Sequence, residues 1–171
     1  MSLLTKQHRS RRPNTEIQNA VISMMKSDKN MLFVTLTMKQ SIYDEETRSF
    51  RRLDKILASQ NLRHFHNLLN RAVLPASAVK RHNRKLAMFP VLENSGSDRL
   101  HYHILIEVPE SLSKEFFYAQ IISCWQKTNF ADREIDIKEI YDRDRLKEYI
   151  TKQSRFTTDN IDWNNFSKTD A

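Results

Sequence analysis

The stretch Leu100–Val108 reads Leu-His-Tyr-His-Ile-Leu-Ile-Glu-Val, and no other part of the chain constrains the fold as strongly. Successive side chains of a strand point to opposite faces, so His101 and His103 share one side while Tyr102, Ile104, Ile106 and Val108 share the other. A strand with such unlike faces belongs to a sheet packed on one side, which leaves the histidine face available to solvent and ligand. Met31–Met38 has the same character: Leu32, Val34, Leu36 and Met38 alternate with Phe33, Thr35 and Thr37, giving a core face and a semi-polar one. Lys85–Glu93 reads as another strand, with Pro90 placing an edge or bulge there because proline cannot donate to a ladder. The loop Asn94–Asp98 joins it to Leu100–Val108 as an antiparallel hairpin, and Glu134–Ile140 alternates as a further strand.

Helical periodicity fills the remainder. Ile17, Ala20, Val21, Met24 and Met25 predict a helix over Asn14–Lys26. After a polar loop, Lys39–Ser49, the residues Phe50, Leu53, Ile56, Leu57, Phe65, Leu68, Leu69 and Val73 predict a long helix ending before Pro75. Ser111 or Ser113 caps a helix to about Lys127, and Asp142 or Asp144 caps a last one through Gln153. The order α-β-α-β-β-α-β-α fits an α+β fold, an antiparallel sheet of four to five strands with helices on one face. Residues 1–13 form a basic arm with Lys6, Arg9, Arg11 and Arg12, residues 14–153 the domain, and residues 154–171 a polar tail.

A length of 171 residues leads one to expect a single domain, without an appended ATPase or helicase. Its only glycine, Gly96, excludes the glycine-rich loops that cradle phosphates, so any phosphate chemistry falls to side chains or a metal. The single cysteine, Cys124, excludes an internal disulfide and reads as a core filler. Lys and Arg number 28 against 21 Asp and Glu, a net charge of +7 that favours a polyanion, nucleic acid first. With no apolar run of membrane length and no signal segment, the expectation is a cytoplasmic protein with no membrane partner.

On the histidine face the two imidazoles, roughly 6.5–7 Å apart at Cα in a strand, can bind one cation. Glu93 stands at the end of the preceding strand and can complete a His2Glu set, whose open positions suit Mg²⁺, Mn²⁺ or Zn²⁺. The similar His64-Phe65-His66 lies within the long helix, where residues two apart point about 200° apart and cannot share an ion. Tyr149 and Lys152 are i and i+3 on the last helix, with Gln153 at i+4 from the tyrosine. A tyrosine hydroxyl, with a pKa of about 10, attacks a phosphodiester only when its oxyanion is stabilised and the phosphate is polarised. The competing reading has the histidines and Glu93 as surface residues and Tyr149 packing beside Leu146 and Ile150.

Three motifs in order, Phe33-Val34-Thr35-Leu36-Thr37, His101-Tyr102-His103 and Tyr149-Ile150-Thr151-Lys152, make the chain resemble the HUH endonucleases of the Rep type. These are rolling-circle replication initiators of plasmids and small viruses, with a ferredoxin- or RRM-like nuclease fold. The resemblance covers about Met31 to Gln153. It implies a divalent cation, Mg²⁺ or Mn²⁺, on His101, His103 and Glu93, and site-specific nicking of single-stranded or hairpin origin DNA. Tyr149 would be the nucleophile, ending as a 5′-phosphotyrosine, and Lys152 would stabilise the phenolate. Candidate DNA contacts are Phe33, Thr35 and Thr37 on the strand and the cations Arg9, Arg11, Arg12, Arg81, Arg84 and Lys85. Any helicase would be borrowed from the host. Two alternatives stand beside this reading. One is a single-tyrosine transposase of the same superfamily, with Gln153 as third ligand; the other is a non-catalytic single-stranded nucleic-acid-binding module.

Overall fold

The computed structural model describes residues 30–95, 99–140 and 160–168. The basic arm, the helix expected over Asn14–Lys26 and the last expected helix, with Tyr149, Lys152 and Gln153, fall outside the described residues. The elements are β1 (Met31–Met38), β2 (Ser41–Asp44), β3 (Ser49–Arg52), α1 (Lys55–Val73), α2 (Ala76–His82), β4 (Met88–Ser95), β5 (Arg99–Glu107), α3 (Lys114–Gln126) and β6 (Ala131–Glu139).

Four strands form one sheet in the order β4-β5-β1-β6, with every pair antiparallel. Leaving aside the β2–β3 hairpin and α2, the order β1-α1-β4-β5-α3-β6 is the ferredoxin-like split βαβ arrangement, as the α+β expectation required. The alternation of β1 is realised residue by residue: Leu32, Val34, Leu36 and Met38 are buried and the intervening residues half-buried. On that face α1 and α3 close the core, with Leu62, Phe65, Leu69, Phe117, Ile121 and Trp125 packed against Tyr102, Ile104 and Ile106. The rings of Phe65 and Trp125 meet edge to face at 5.6 Å, a favoured aromatic geometry. Cys124 sits in this core, where burial pushes its thiol up and keeps it neutral, a filler and not a nucleophile. No helix among the described residues is long and apolar enough to cross a membrane.

Caps explain the helix limits. The Asp54 carboxylate accepts from the Leu57 N–H at 2.8 Å, so α1 begins at Lys55 and not at Phe50. Phe50 and Leu53 merely continue the helical spacing; Phe50 belongs to β3, paired with Tyr43 of β2, so the expected polar loop is a hairpin. α1 stops where Leu74 precedes Pro75, whose ring disfavours helical backbone in the residue before it. The short α2 was not legible from apolar spacing because none of its residues is buried. β4 starts at Met88, later than expected, because the Leu86 N–H donates to Asn70 Oδ1 at 2.8 Å in place of a ladder partner. β6 starts earlier, at Ala131, where polar side chains hide the period. Pro90 does lie on an edge strand, β4, with its carbonyl turned outward.

The His64–His66 pair is split by the helix as expected: His64 is exposed, and His66 is buried with Nε2 3.2 Å from the Leu86 carbonyl. Burial, aided by the Lys85 charge and opposed by that carbonyl, lowers the His66 pKa from 6.5 to about 4. The unfolded chain therefore takes up a proton that the folded one refuses. Stability from this residue is whole above the unfolded value and falls as pH drops through the window between the two, by up to about 3 kcal/mol. Urea titrations between pH 7 and pH 4.5 should show this slope, and His66→Gln should flatten it.

Candidate metal centre

The pairing of β4 with β5 sets Glu93 directly across from His101, and β1 sets Thr35 across from His103. All four side chains project from the face opposite the helices. Glu93 Oε2 lies 2.9 Å from His103 Nε2 and 3.6 Å from His101 Nε2. The donor atoms of the three residues all lie within 4.8 Å of one another. The Glu93 side chain is only 8% exposed, so its carboxylate has little water to share its charge.

The Nδ1 atoms of both rings are held by neighbours on the sheet. His101 Nδ1 is 3.1 Å from the Arg99 carbonyl, an acceptor only, so Nδ1 carries a proton and Nε2 is the atom that faces Glu93. His103 Nδ1 is 3.1 Å from Thr35 Oγ1, a hydroxyl that can donate or accept and so serves either tautomer. Phe33 lies against the His103 ring, centroids 5.3 Å apart and planes 17° from parallel, and holds that imidazole in its orientation. Two ring nitrogens and a carboxylate oxygen thus converge, a donor set that could hold a metal ion once the Nε2 atoms are free of protons. Two donors on one ion with bonds of about 2.1 Å stand about 3.0–3.4 Å apart, so the separations of 2.9 and 3.6 Å bracket that span and small shifts of the side chains would bring the donors onto a single divalent ion.

The tail expected to be merely polar supports this site. Residues 160–168 run along the free edge of β4: Asp162 N–H donates to the Pro90 carbonyl at 3.1 Å, and Ser167 and Met88 exchange backbone bonds of 2.9 and 3.0 Å. On the histidine face Ile161 joins Ala87, Phe89, Val91 and Leu105 in a second apolar cluster, with Phe166 packed on it. Part of that face is therefore covered, which corrects the expectation that it stands open along its length. On the helix side Tyr102, between the two histidines, donates its hydroxyl to Asp162 Oδ2 at 2.8 Å. Asn165 donates to the same oxygen at 2.7 Å, and Ser59 of α1 donates to Asp162 Oδ1 at 3.1 Å. Burial first, then the Asp162 charge, pushes the Tyr102 phenol well above its ordinary value, so it is a fixed donor and no nucleophile. The signal for this strap was the apolar set Ile161, Trp163 and Phe166 in an otherwise polar stretch.

The remaining predicted residues separate. The Thr35 and Thr37 hydroxyls are engaged by His103 and the Glu134 carbonyl. Arg81 in α2, and Arg84 and Lys85 after it, are exposed and precede the Met88 end of β4, opposite the end that carries Glu93.

No family model matches the chain, and no curated protein matches it. Among solved structures it is similar to the crystal structure of the hypothetical protein ORF119 from Sulfolobus islandicus rod-shaped virus 1. That likeness has 16% sequence identity and a TM-score of 0.38 over 82% of this chain and 94% of the viral one.

Proposed function

We propose that the chain is a metal-dependent endonuclease that nicks and rejoins single-stranded DNA, in the manner of the Rep-type initiators it resembles. The observation that carries this reading is the convergence of His101 Nε2, His103 Nε2 and Glu93 Oε2 on one sheet face. Mg²⁺ or Mn²⁺ bound there would supply a Lewis acid for a phosphate oxygen. Glu93, His101 and His103 would hold the ion, while Thr35, Phe33 and the Arg99 carbonyl keep the two rings aligned.

In this reading the Tyr149 oxygen forms a bond to phosphorus as the bond to the 3′ oxygen breaks, leaving a 5′-phosphotyrosine and a 3′-hydroxyl. The phosphodiester is conserved, so a later 3′-hydroxyl can reverse the step. Lys152 would stabilise the attacking phenolate. The carboxylate already completing the triad supports Glu93, and not Gln153, as third ligand, which favours the Rep reading over the transposase one.

Incubating the chain with a panel of single-stranded and hairpin oligonucleotides and Mn²⁺ should give a covalent protein–DNA adduct that EDTA prevents. Tyr149→Phe should abolish it. An adduct that persists in Tyr149→Phe overturns this mechanism, and DNA binding with no adduct under any metal supports the non-catalytic module.

A further inference from the structure

We propose that the β2–β3 hairpin is a second contact for single-stranded DNA, independent of the metal. In it the ring pair Tyr43 and Phe50 stacks unpaired bases while Arg52 and its neighbours meet the phosphates. The choice of polymer rests on the DNA-acting reading above.

The hairpin has two dissimilar sides. One side is its anchor: Ile42 packs on the main core, and Arg51 pairs with Asp44 at 3.8 Å. Its turn is held by Asp44 Oδ1, which accepts from the Glu46 and Thr47 N–H groups at 3.1 and 3.2 Å. The other side carries Tyr43 and Phe50 directly across from each other, 54% and 75% exposed, with ring centroids 5.4 Å apart. Arg52 lies on this same side, across from Ser41. As a cross-strand pair the rings add a little stability to the ribbon, but they leave most of their faces to solvent. Exposed rings beside cations are the elements that bind unpaired bases and their backbone.

Charge and position favour the same occupant. The exposed cations Arg52 and Lys55 lie at the root of the hairpin, flanking Asp54, whereas Lys39 and Arg51 line a cavity together with Asp44, Glu45 and Glu46. A polyanion laid on the ring pair would therefore meet Arg52 on the same side of the ribbon. The root is bolted beside the metal centre: the Gln40 side chain donates to the Leu100 carbonyl at 3.1 Å and accepts from its N–H at 2.8 Å, and Leu100 precedes His101. Arg48 in the turn has φ of 50°, a left-handed position that glycine would occupy without strain, yet it carries a cationic side chain.

The test is fluorescence anisotropy of a labelled single-stranded oligonucleotide with the full chain in EDTA. Wild type should bind the base-bearing strand at least 10-fold tighter than an abasic strand of the same length. The double variant Tyr43→Thr, Phe50→Thr should lose that preference, and Tyr43→Phe should retain it. Equal wild-type affinity for the two strands overturns the proposal, as does a folded double variant that binds like wild type. Sedimentation that shows a dimer abolished by the double variant, with DNA affinity unchanged, assigns the rings to a second copy of the chain and also overturns it. An adduct formed undiminished by the double variant with wild-type binding sinks this inference and leaves the nicking reading intact. Base-dependent binding without any adduct does the reverse.

Discussion

Adding Mn²⁺ to the metal-free chain at a hundredfold excess over its Kd is expected to raise the melting temperature by about 5–10 °C. The figure follows from about 2.7 kcal/mol of linkage free energy and about 2–4 °C per kcal/mol for a chain of this size. Alanine at Glu93, His101 or His103 should erase the shift. The three donors act as a unit: removing Glu93 leaves two neutral imidazoles with no charge to offset the ion's lost hydration, and removing either histidine leaves a carboxylate and a single nitrogen. Affinity should fall by about 100-fold or more for each, as for any lost direct ligand. Thr35→Val, which removes the hydroxyl beside His103 Nδ1 but no ligand, should weaken binding by about 10-fold. Thermal melts with Mn²⁺, Mg²⁺ and Zn²⁺ decide the matter; wild-type curves unmoved by all three would dismiss the metal centre.

Asp162→Ala is expected to cost about 2–4 kcal/mol of folding stability, measured by urea unfolding, because it removes the shared acceptor of three buried or part-buried donors. This carboxylate gathers Tyr102, Ser59 and Asn165, and it is buried with them. Its loss leaves the Tyr102 hydroxyl in the core without its acceptor and unfastens the strap from α1. Asp162→Asn keeps one acceptor oxygen and should cost less, about 1–2 kcal/mol. Because Tyr102 lies between His101 and His103, and the strap pairs with the strand that carries Glu93, the alanine variant should also weaken metal binding. A midpoint within error of wild type would show that the strap is not integral to the domain.

These two expectations divide the molecule by what was legible. The Glu93 triad could be read because its parts are local: a period-two strand, a short hairpin and a carboxylate just before it. The core helices could be read from their spacing and caps, although Asp54 had to be recognised as the cap to keep Phe50 out of α1. The strap could not. Asp162 and Asn165 look like solvated residues until Tyr102, 60 positions away, is found to need an acceptor. The hairpin was equally hidden, because four-residue strands with exposed faces show little periodicity.

By itself the sequence determined that His101 and His103 share a sheet face and that Tyr102 does not, since strand geometry alternates whatever the neighbours are. Only the tertiary structure decided that both Nε2 atoms turn toward Glu93, because ring orientation depends on the Arg99 carbonyl, the Thr35 hydroxyl and the Phe33 ring. It also decided that one end of the histidine face is sealed by Ile161 and Phe166 while the ligand end lies beside an aromatic hairpin. Those are pairings between distant segments, and burial and unsatisfied edge hydrogen bonds, not local spacing, select them.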